Sequence, residues 1–199
     1  LRTQQLQMTK TKWTNWSNSF NSYPDRIETP CTERELIEIV RTAKKTHTKI
    51  KLVGSGHSCS KIAETSDGIL ISLDNYNSIL SFNPKKLELT VEGGISLKKI
   101  CTFLKKKKAA LANMGTIDPQ SIAGAISTGT HGTGIKFGAI DQQVTAIEYI
   151  TSNGEIFKTS KNDNPQLFHN TVVGLGAIGV ISKVTIQCVP LYNLEVVTQ

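Results

Sequence analysis

No stretch of this 199-residue chain reaches the roughly eighteen consecutive apolar residues that a membrane-crossing helix needs. It contains no Cys-x-x-Cys pair. The four cysteines, Cys31, Cys59, Cys101 and Cys188, stand far apart. That spacing argues against a zinc ribbon or a disulfide scaffold, so no metal site is expected and the thiols read as reduced, in a cytoplasmic protein. The first residues, Leu1 to Gln7, lack both an initiator Met and the apolar core of a signal peptide. Residues 1–12 are read as an N-terminal extension or tag remnant, with Met8 a candidate start. No Gly-Lys-[Ser/Thr] is present, which excludes a Walker A loop, and no G-x-G-x-x-G sits between a strand and a helix. Internal repeats and low-complexity segments are absent as well.

The composition that remains, 38% hydrophobic and 20% charged, suits a soluble globular protein. The length suits one large domain or two lobes sharing a core. The formal charge of +7 is mostly lysine, densest at Lys105-Lys106-Lys107-Lys108. Such a run can attract nucleic acid or an acidic membrane. No aromatic residue interleaves with these lysines as a nucleic-acid groove requires, so the run is read as the solvated, dipole-matched end of a helix. No nucleic-acid partner and no integral membrane segment are expected; peripheral membrane association stays open.

The periodicities mix strands and helices without a regular βαβ repeat, which gives an α+β class. Trp13-Thr14-Asn15-Trp16 opens the ordered part, and its aromatics are read as packing anchors. Thr32 and Glu35 have capping-box spacing, and Leu36, Ile39, Val40 and Ala43 follow on one helical face. His47 falls in a surface loop beyond that helix. Strands are expected over 50–53, 68–73 and 87–91, then a helix over 96–108 with Leu97, Ile100, Cys101 and Leu104 on one face. Two strands flank Ser152-Asn153-Gly154, a strong hairpin signal. Asn164-Pro165 predicts a helix start with Asn as N-cap, and a long alternating strand runs over 180–189. A composition break at Ser81 to Pro84 divides the domain, residues 13–190, into lobes of about 13–80 and 81–190.

Two glycine-rich segments carry the chemistry. Val53-Gly54-Ser55-Gly56-His57-Ser58 follows the apolar run Ile50-Lys51-Leu52, so a buried strand runs into a glycine turn. Such a turn lets backbone N–H groups approach a phosphate, with a nucleophilic imidazole beside it. The second segment, Met114 to Gly134, packs five glycines, four threonines and two serines into 21 residues. It is read as a long loop with almost nothing to build a core, suited to wrapping a polyanionic cofactor.

These blocks, taken in order, resemble a known family. They are W-x-N-W, V-G-S-G-H-S, D-G-I-L-I (Asp67 to Ile71), V-E-G-G (Val91 to Gly94), S-T-G-T-H-G-T-G (Ser127 to Gly134) and G-L-G-A-I-G-V-I (Gly174 to Ile181). The chain is similar, from about Trp13 to Leu194, to the PCMH-type FAD-binding domain of the vanillyl-alcohol oxidase superfamily. Within it the likeness is to sugar-1,4-lactone oxidases, acting on gulonolactone or arabinonolactone, and to alditol oxidases. The resemblance implies two α/β lobes with FAD between them. It implies that Val53, Gly54, Ser55, Gly56 and Ser58 wrap the pyrophosphate and that His57 forms a covalent bond to the flavin 8α-methyl. Gly115, Thr116, Ser121, Gly124, Thr128, Gly129, Thr130 and His131 match contact positions of the second loop, and Ile181 one near the adenine or ribose. His131 is either a second functional imidazole or a fixer of loop geometry. Glycine at 115, beside the flavin edge, leans toward reaction with oxygen.

The chain also departs from the pattern. No cysteine lies between Met114 and Gly134, so a second covalent link is not expected, and Cys59 replaces the usual proline after His-Ser. Family members are about twice as long, and residues 191–199 are read as the start of a missing C-terminal substrate domain. No catalytic base is assigned for that reason. The implied reaction is oxidation of a CH–OH group of a sugar lactone or polyol, by hydride transfer to flavin N5 with O₂ as acceptor, giving H₂O₂. The alternatives are a flavin dehydrogenase using another acceptor and a non-catalytic flavin-binding or interaction module.

Overall fold

The computed structural model describes residues 10–195. Its elements run β1 (Trp13–Thr14), β2 (Asn21–Ser22), β3 (Arg26–Glu28), α1 (Glu33–Lys45), β4 (Ile50–Val53), β5 (Ile69–Ser72), β6 (Ile79–Asn83) and β7 (Glu88–Glu92). They continue with α2 (Leu97–Lys106), β8 (Ala109–Ala110), α3 (Ile122–Ser127), β9 (Val144–Ile150), β10 (Ile156–Ser160), α4 (Pro165–Val172), β11 (Val180–Gln187) and β12 (Val189–Pro190). The mixture is α+β, as the periodicity indicates.

Two sheets of opposite habit form the frame. The first is parallel, in the order β3-β5-β4. Its middle strand, Ile69-Leu70-Ile71-Ser72, is buried throughout, which is why it reads as a continuous apolar run rather than an alternating one. The second sheet is antiparallel, in the order β10-β9-β11-β7-β6. β7, and β11 from Ser182 to Ile186, alternate buried and half-buried residues, as strands covered on one face do. The chain passes from the parallel to the antiparallel sheet between Leu73 and Ile79, and Ser81 to Asn83 lie within β6. β6 itself was not legible as a strand, because none of its five residues is fully buried.

α1 joins the two sheets. Thr32 Oγ1 accepts the Glu35 N–H at 3.2 Å, and the Glu35 carboxylate reaches back to the Cys31 N–H at 2.7 Å, completing the expected capping arrangement one residue further out. Leu36, Val40 and Ala43 pack with Ile69, Ile71 and Leu73 of the parallel side and with Ile150 and Val180 of the antiparallel sheet. The helix ends where His47 takes a left-handed conformation, φ 52°, exposed as expected. A half-buried ion network adds to this junction. Lys183 on β11 meets Glu33 of α1 and Glu148 of β9, both at 3.0 Å, and Lys158 of β10 meets Glu148 at 2.8 Å. Burial alone would raise the Glu148 carboxyl, but the two lysines outweigh it and hold its pKa below the usual value. Burial likewise opposes the charge on Lys183, and Glu148 and Glu33 keep its pKa raised.

α2 follows the expected helix closely. Ser96 caps it by accepting the Lys99 N–H at 3.2 Å, and Lys105 and Lys106 fill its last turn. Two local expectations are corrected. The Asn-Gly hairpin forms, but Ile150 pairs with Ile156, so the loop spans five residues, Thr151 to Glu155, rather than the three of Ser152-Asn153-Gly154. Asn164 precedes α4 in a left-handed conformation, φ 56°, and its side chain caps nothing.

The larger correction concerns Met114 to Gly134. It is not one long loop. Ile122, Ala123, Ala125 and Ile126 are buried in α3 and belong to the main core cluster, together with Leu97, Ile100 and Leu104 of α2 and Val184 and Ile186 of β11. The helix is tied down at its start, where Ile122 N–H donates to Ile95 O at 2.8 Å and Ala123 N–H to Gly93 O at 3.0 Å. Six residues are too few for an amphipathic period to emerge, and small residues here permit close packing instead of merely lining a loop.

Candidate functional site

A cleft of about 410 Å³ opens between the parallel sheet and α3. Its volume lies within the range of ligand sites. One wall is the turn after β4, residues Gly54 to Ser58; the opposite wall is Gln120, Ser121, Gly124, Ser127 and Thr128; a third side comes from Leu175 to Ala177, Gly179 and Ile181.

Two contacts bring the first two walls together. Ser55 Oγ donates to Pro119 O at 2.5 Å. At Gly54 a Cβ would sit 2.0 Å from Ser121 Oγ and 3.1 Å from its Cβ, so a side chain there would make the Ser121 hydroxyl shift. Gly56 has φ +66°, and a side chain there would also strike the Trp13 ring.

The segment between β1 and β2 clips the turn from outside. Trp16 N–H donates to Gly56 O at 3.2 Å, Trp16 Nε1–H to His57 O at 3.3 Å and Asn15 Nδ2–H to Ser58 O at 3.3 Å. Three consecutive carbonyls are thus held toward the clip. A trans peptide carries its N–H opposite its C=O, so the N–H groups of His57, Ser58 and Cys59 turn away from it. Among the described residues, the N–H groups of Ser55, Gly56, His57, Ser58 and Cys59 find no protein acceptor. Asn15 is itself buried and saturated: its amide donates to Ser17 and Ser19 and accepts from the N–H groups of Ser19 and Phe20.

Two cleft-lining side chains hold buried atoms with no partner, His57 Nδ1 and Gln120 Oε1. Lys51 is the one formally charged residue of the lining among the described residues. An anion here would be met by backbone N–H groups rather than by a cluster of cations.

Ten of the fifteen site residues singled out from the sequence line this cleft: Val53, Gly54, Ser55, Gly56, His57, Ser58, Ser121, Gly124, Thr128 and Ile181. Gly115, Thr116, Gly129, Thr130 and His131 do not. Gly115, Thr130 and His131 instead gather beside it. Gln120 Nε2–H donates to Thr130 Oγ1 at 3.3 Å, and a Cβ on Gly115 would lie 3.1 Å from Thr130 Cγ2. The exposed His131 ring bonds through Nδ1 to the neighbouring Gly132 carbonyl at 2.9 Å, a local contact that fits the geometry-fixing role. Sequence reasoning missed Gln120, whose signal is a lone amide among small residues. It also missed Trp16, which is not a packing anchor: the residue is 58% exposed and its ring lies tilted beside the His57 imidazole, centroids 5.2 Å apart. Trp13, by contrast, does pack, against Phe20 at 6.3 Å.

The arrangement of a small parallel sheet beside an antiparallel sheet recurs in a solved structure. Cholesterol oxidase from Brevibacterium sterolicum superposes with a TM-score of 0.76 at 20% identity, over 91% of this chain and 37% of that one. The sequence pattern described as FAD binding domain matches residues 24–160, and the chain belongs to that family.

Among curated proteins it is 37% identical over 187 residues to L-gulonolactone oxidase of Bos taurus. It is 37% identical over 183 residues to L-gulono-1,4-lactone dehydrogenase of Mycobacterium tuberculosis, and 36% over 184 residues to D-arabinono-1,4-lactone oxidase of Yarrowia lipolytica. These alignments cover 90–94% of this chain but only 35–42% of the relatives' length.

Among the described residues, no helix is long and apolar enough to cross a membrane.

Proposed function

We propose that this chain is the FAD-holding part of an oxidoreductase that oxidises a CH–OH group of a sugar lactone, with an alditol as the second candidate substrate class. The observation that carries the reading is the glycine turn. Four residues of the turn with unaccepted N–H groups, Ser55, Gly56, His57 and Ser58, line a cleft walled by small residues, and His57 Nδ1 is buried without a partner. These features fit a diphosphate-bearing flavin: N–H groups to bind the phosphates, small residues to admit a flat ring, and an imidazole with a free ring nitrogen.

When bound, FAD supplies the hydride acceptor, its N5. The residues of the chain bind and orient. Ser55 and Ser58 sit with the N–H groups of the turn on the phosphate side. Ser121, Gly124 and Thr128 form the facing wall, and Ile181 closes the far side. Gly115, Thr116, Gly129, Thr130 and His131 lie beyond that lining and would shape the edge of the site. His57 is the tether, through a covalent bond to the 8α carbon. No residue of this chain is assigned as catalytic base. A lactone substrate rests on the identity to lactone-oxidising relatives, and a further region of similar size would have to supply substrate contacts. A cytoplasmic location is consistent with four thiols that form no disulfide.

The test is retention of flavin. The purified full-length protein should be yellow and stay yellow in the pellet after acid precipitation. The His57→Ala variant should bind FAD but lose it to the supernatant. A colourless folded protein that takes up no added FAD would overturn the reading.

A dehydrogenase with another acceptor is the second reading, because the dehydrogenase of Mycobacterium tuberculosis is as similar as the bovine oxidase. Peroxide formed on lactone turnover under air separates the two.

A further inference from the structure

We propose that Trp16 is the positioning residue for covalent flavin attachment, acting by holding the His57 imidazole in its reactive orientation. This rests on His57 being the tether.

Three independent contacts support the assignment. The indole lies beside the imidazole with centroids 5.2 Å apart and planes inclined by 33°. The same indole donates Nε1–H to the His57 carbonyl at 3.3 Å, and the Trp16 backbone N–H donates to Gly56 O at 3.2 Å. Ring and backbone of His57 therefore both meet a single neighbour, which follows the buried, hydrogen-bonded Asn15 in the chain.

Exposure argues that packing is not the reason for an indole here. Trp16 is 58% exposed and Trp13 is the one that joins the core. An aromatic ring spent on a mostly wet site buries little apolar area, so its contact with His57 is what the position yields. Meanwhile His57 Nδ1 is buried with no hydrogen-bond partner, so no polar contact at that atom sets the angle of the ring. The tilted indole beside it is left to do so.

The step that depends on this orientation balances as follows. A bond forms between a His57 ring nitrogen and the flavin 8α carbon. One methyl C–H bond and the imidazole N–H bond are broken. The two electrons and two protons released reduce dioxygen to hydrogen peroxide, so the flavin ends at its starting oxidation level. The reaction demands a nucleophile aligned with one carbon, and misplacement by about 1 Å can cost on the order of a hundredfold in rate.

The experiment compares full-length wild type, Trp16→Leu, Trp16→Phe and His57→Ala, each prepared without flavin and then incubated with FAD in air. Covalent attachment is followed over time as acid-stable flavin fluorescence in a denaturing gel. FAD affinity is measured separately by fluorescence quenching under anaerobic conditions, and folding by thermal melting. Trp16→Leu is expected to slow attachment by about ten- to a hundredfold, with a melting temperature near wild type and a loss of FAD affinity much smaller than the loss of rate. Trp16→Phe keeps a ring beside the imidazole and should recover most of the rate. Attachment in Trp16→Leu at the wild-type rate would overturn the proposal. So would a slowing matched by an equal loss of FAD affinity, which would mark a merely structural role. If wild type itself attaches no flavin, the tether fails and the Trp16 assignment falls with it; wild type attaching flavin while His57→Ala does not establishes the tether independently of Trp16.

Discussion

The antiparallel sheet with α2, α3 and α4 encloses a cluster of twenty-two buried side chains, whereas the glycine turn after β4 rests on a cluster of three, Val53, Ala63 and Leu70. The first region is held by apolar packing. The turn is held by hydrogen bonds from its neighbours: Trp16, Asn15 and the Ser55 contact to Pro119. The difference teaches where each property resides. Stability concentrates in the antiparallel side, and the ligand wall is a thin, polar, backbone-defined structure leaning against it. Substitutions should therefore separate folding from binding according to which side they touch.

The sharpest break of that comparison is Phe168→Ala. Phe168 of α4 is buried in the large cluster, and its truncation should cost about 3–5 kcal/mol in denaturant unfolding. FAD affinity of the fraction that remains folded should be nearly unchanged. A loss of affinity as large as the loss of stability would show that the two sides are not separable.

Lys183→Met comes next, at the junction. It removes the cation shared by Glu33 and Glu148, and because the network is partly exposed the expected cost is about 1–2 kcal/mol. The pH dependence follows from signs. Glu148 has a lowered folded pKa, so its contribution is present above the usual 4.5 and is lost as pH falls through the lowered value. Lys183 has a raised pKa, so its contribution is complete below the usual 10.5 and is lost as pH climbs through the raised value. Melting of wild type and Lys183→Met should therefore differ most near neutrality and converge at both extremes. A constant gap across the range would remove the network from the account.

Gly54→Ala should do the reverse of Phe168→Ala. The added methyl meets Ser121 Oγ across the cleft, and FAD binding should weaken by about tenfold, some 1.4 kcal/mol, with a smaller effect on melting. Adding Ser121→Ala removes the clashing oxygen and should restore part of the affinity in a titration. No recovery would mean that the turn itself, not the approach, was damaged. The smallest effect is expected at Thr32→Ala, which deletes the cap of α1 and should cost about 1 kcal/mol with no change in FAD affinity.

The legible part of the sequence was the part whose cause is local. α1 announced itself through its capping box and apolar stripe and α2 through its apolar stripe, and the α1 cap bonds as its spacing requires. β4, β5, β9 and β11 were visible as apolar or alternating runs. α3 was not: six residues of Ile, Ala, Gly and Ser look like loop until Gly93 and Ile95 supply their carbonyls from another part of the chain. The glycine turn was legible because a phosphate-approaching backbone demands glycine. Trp16 was not, because nothing local distinguishes it from Trp13. Only the return of the chain at residues 56–58 decides which indole meets the core and which meets His57.

The sequence by itself determined the family, the strand that enters the glycine turn and the histidine beside it, since ordered short motifs and backbone chemistry are written locally. The tertiary structure alone decided that the small-residue segment folds into a core helix facing that turn, that ten of the expected residues line the cleft while five stand beyond it, and that an exposed indole lies beside the imidazole. These are matters of approach between segments forty to seventy residues apart, and no local pattern encodes which surfaces will meet.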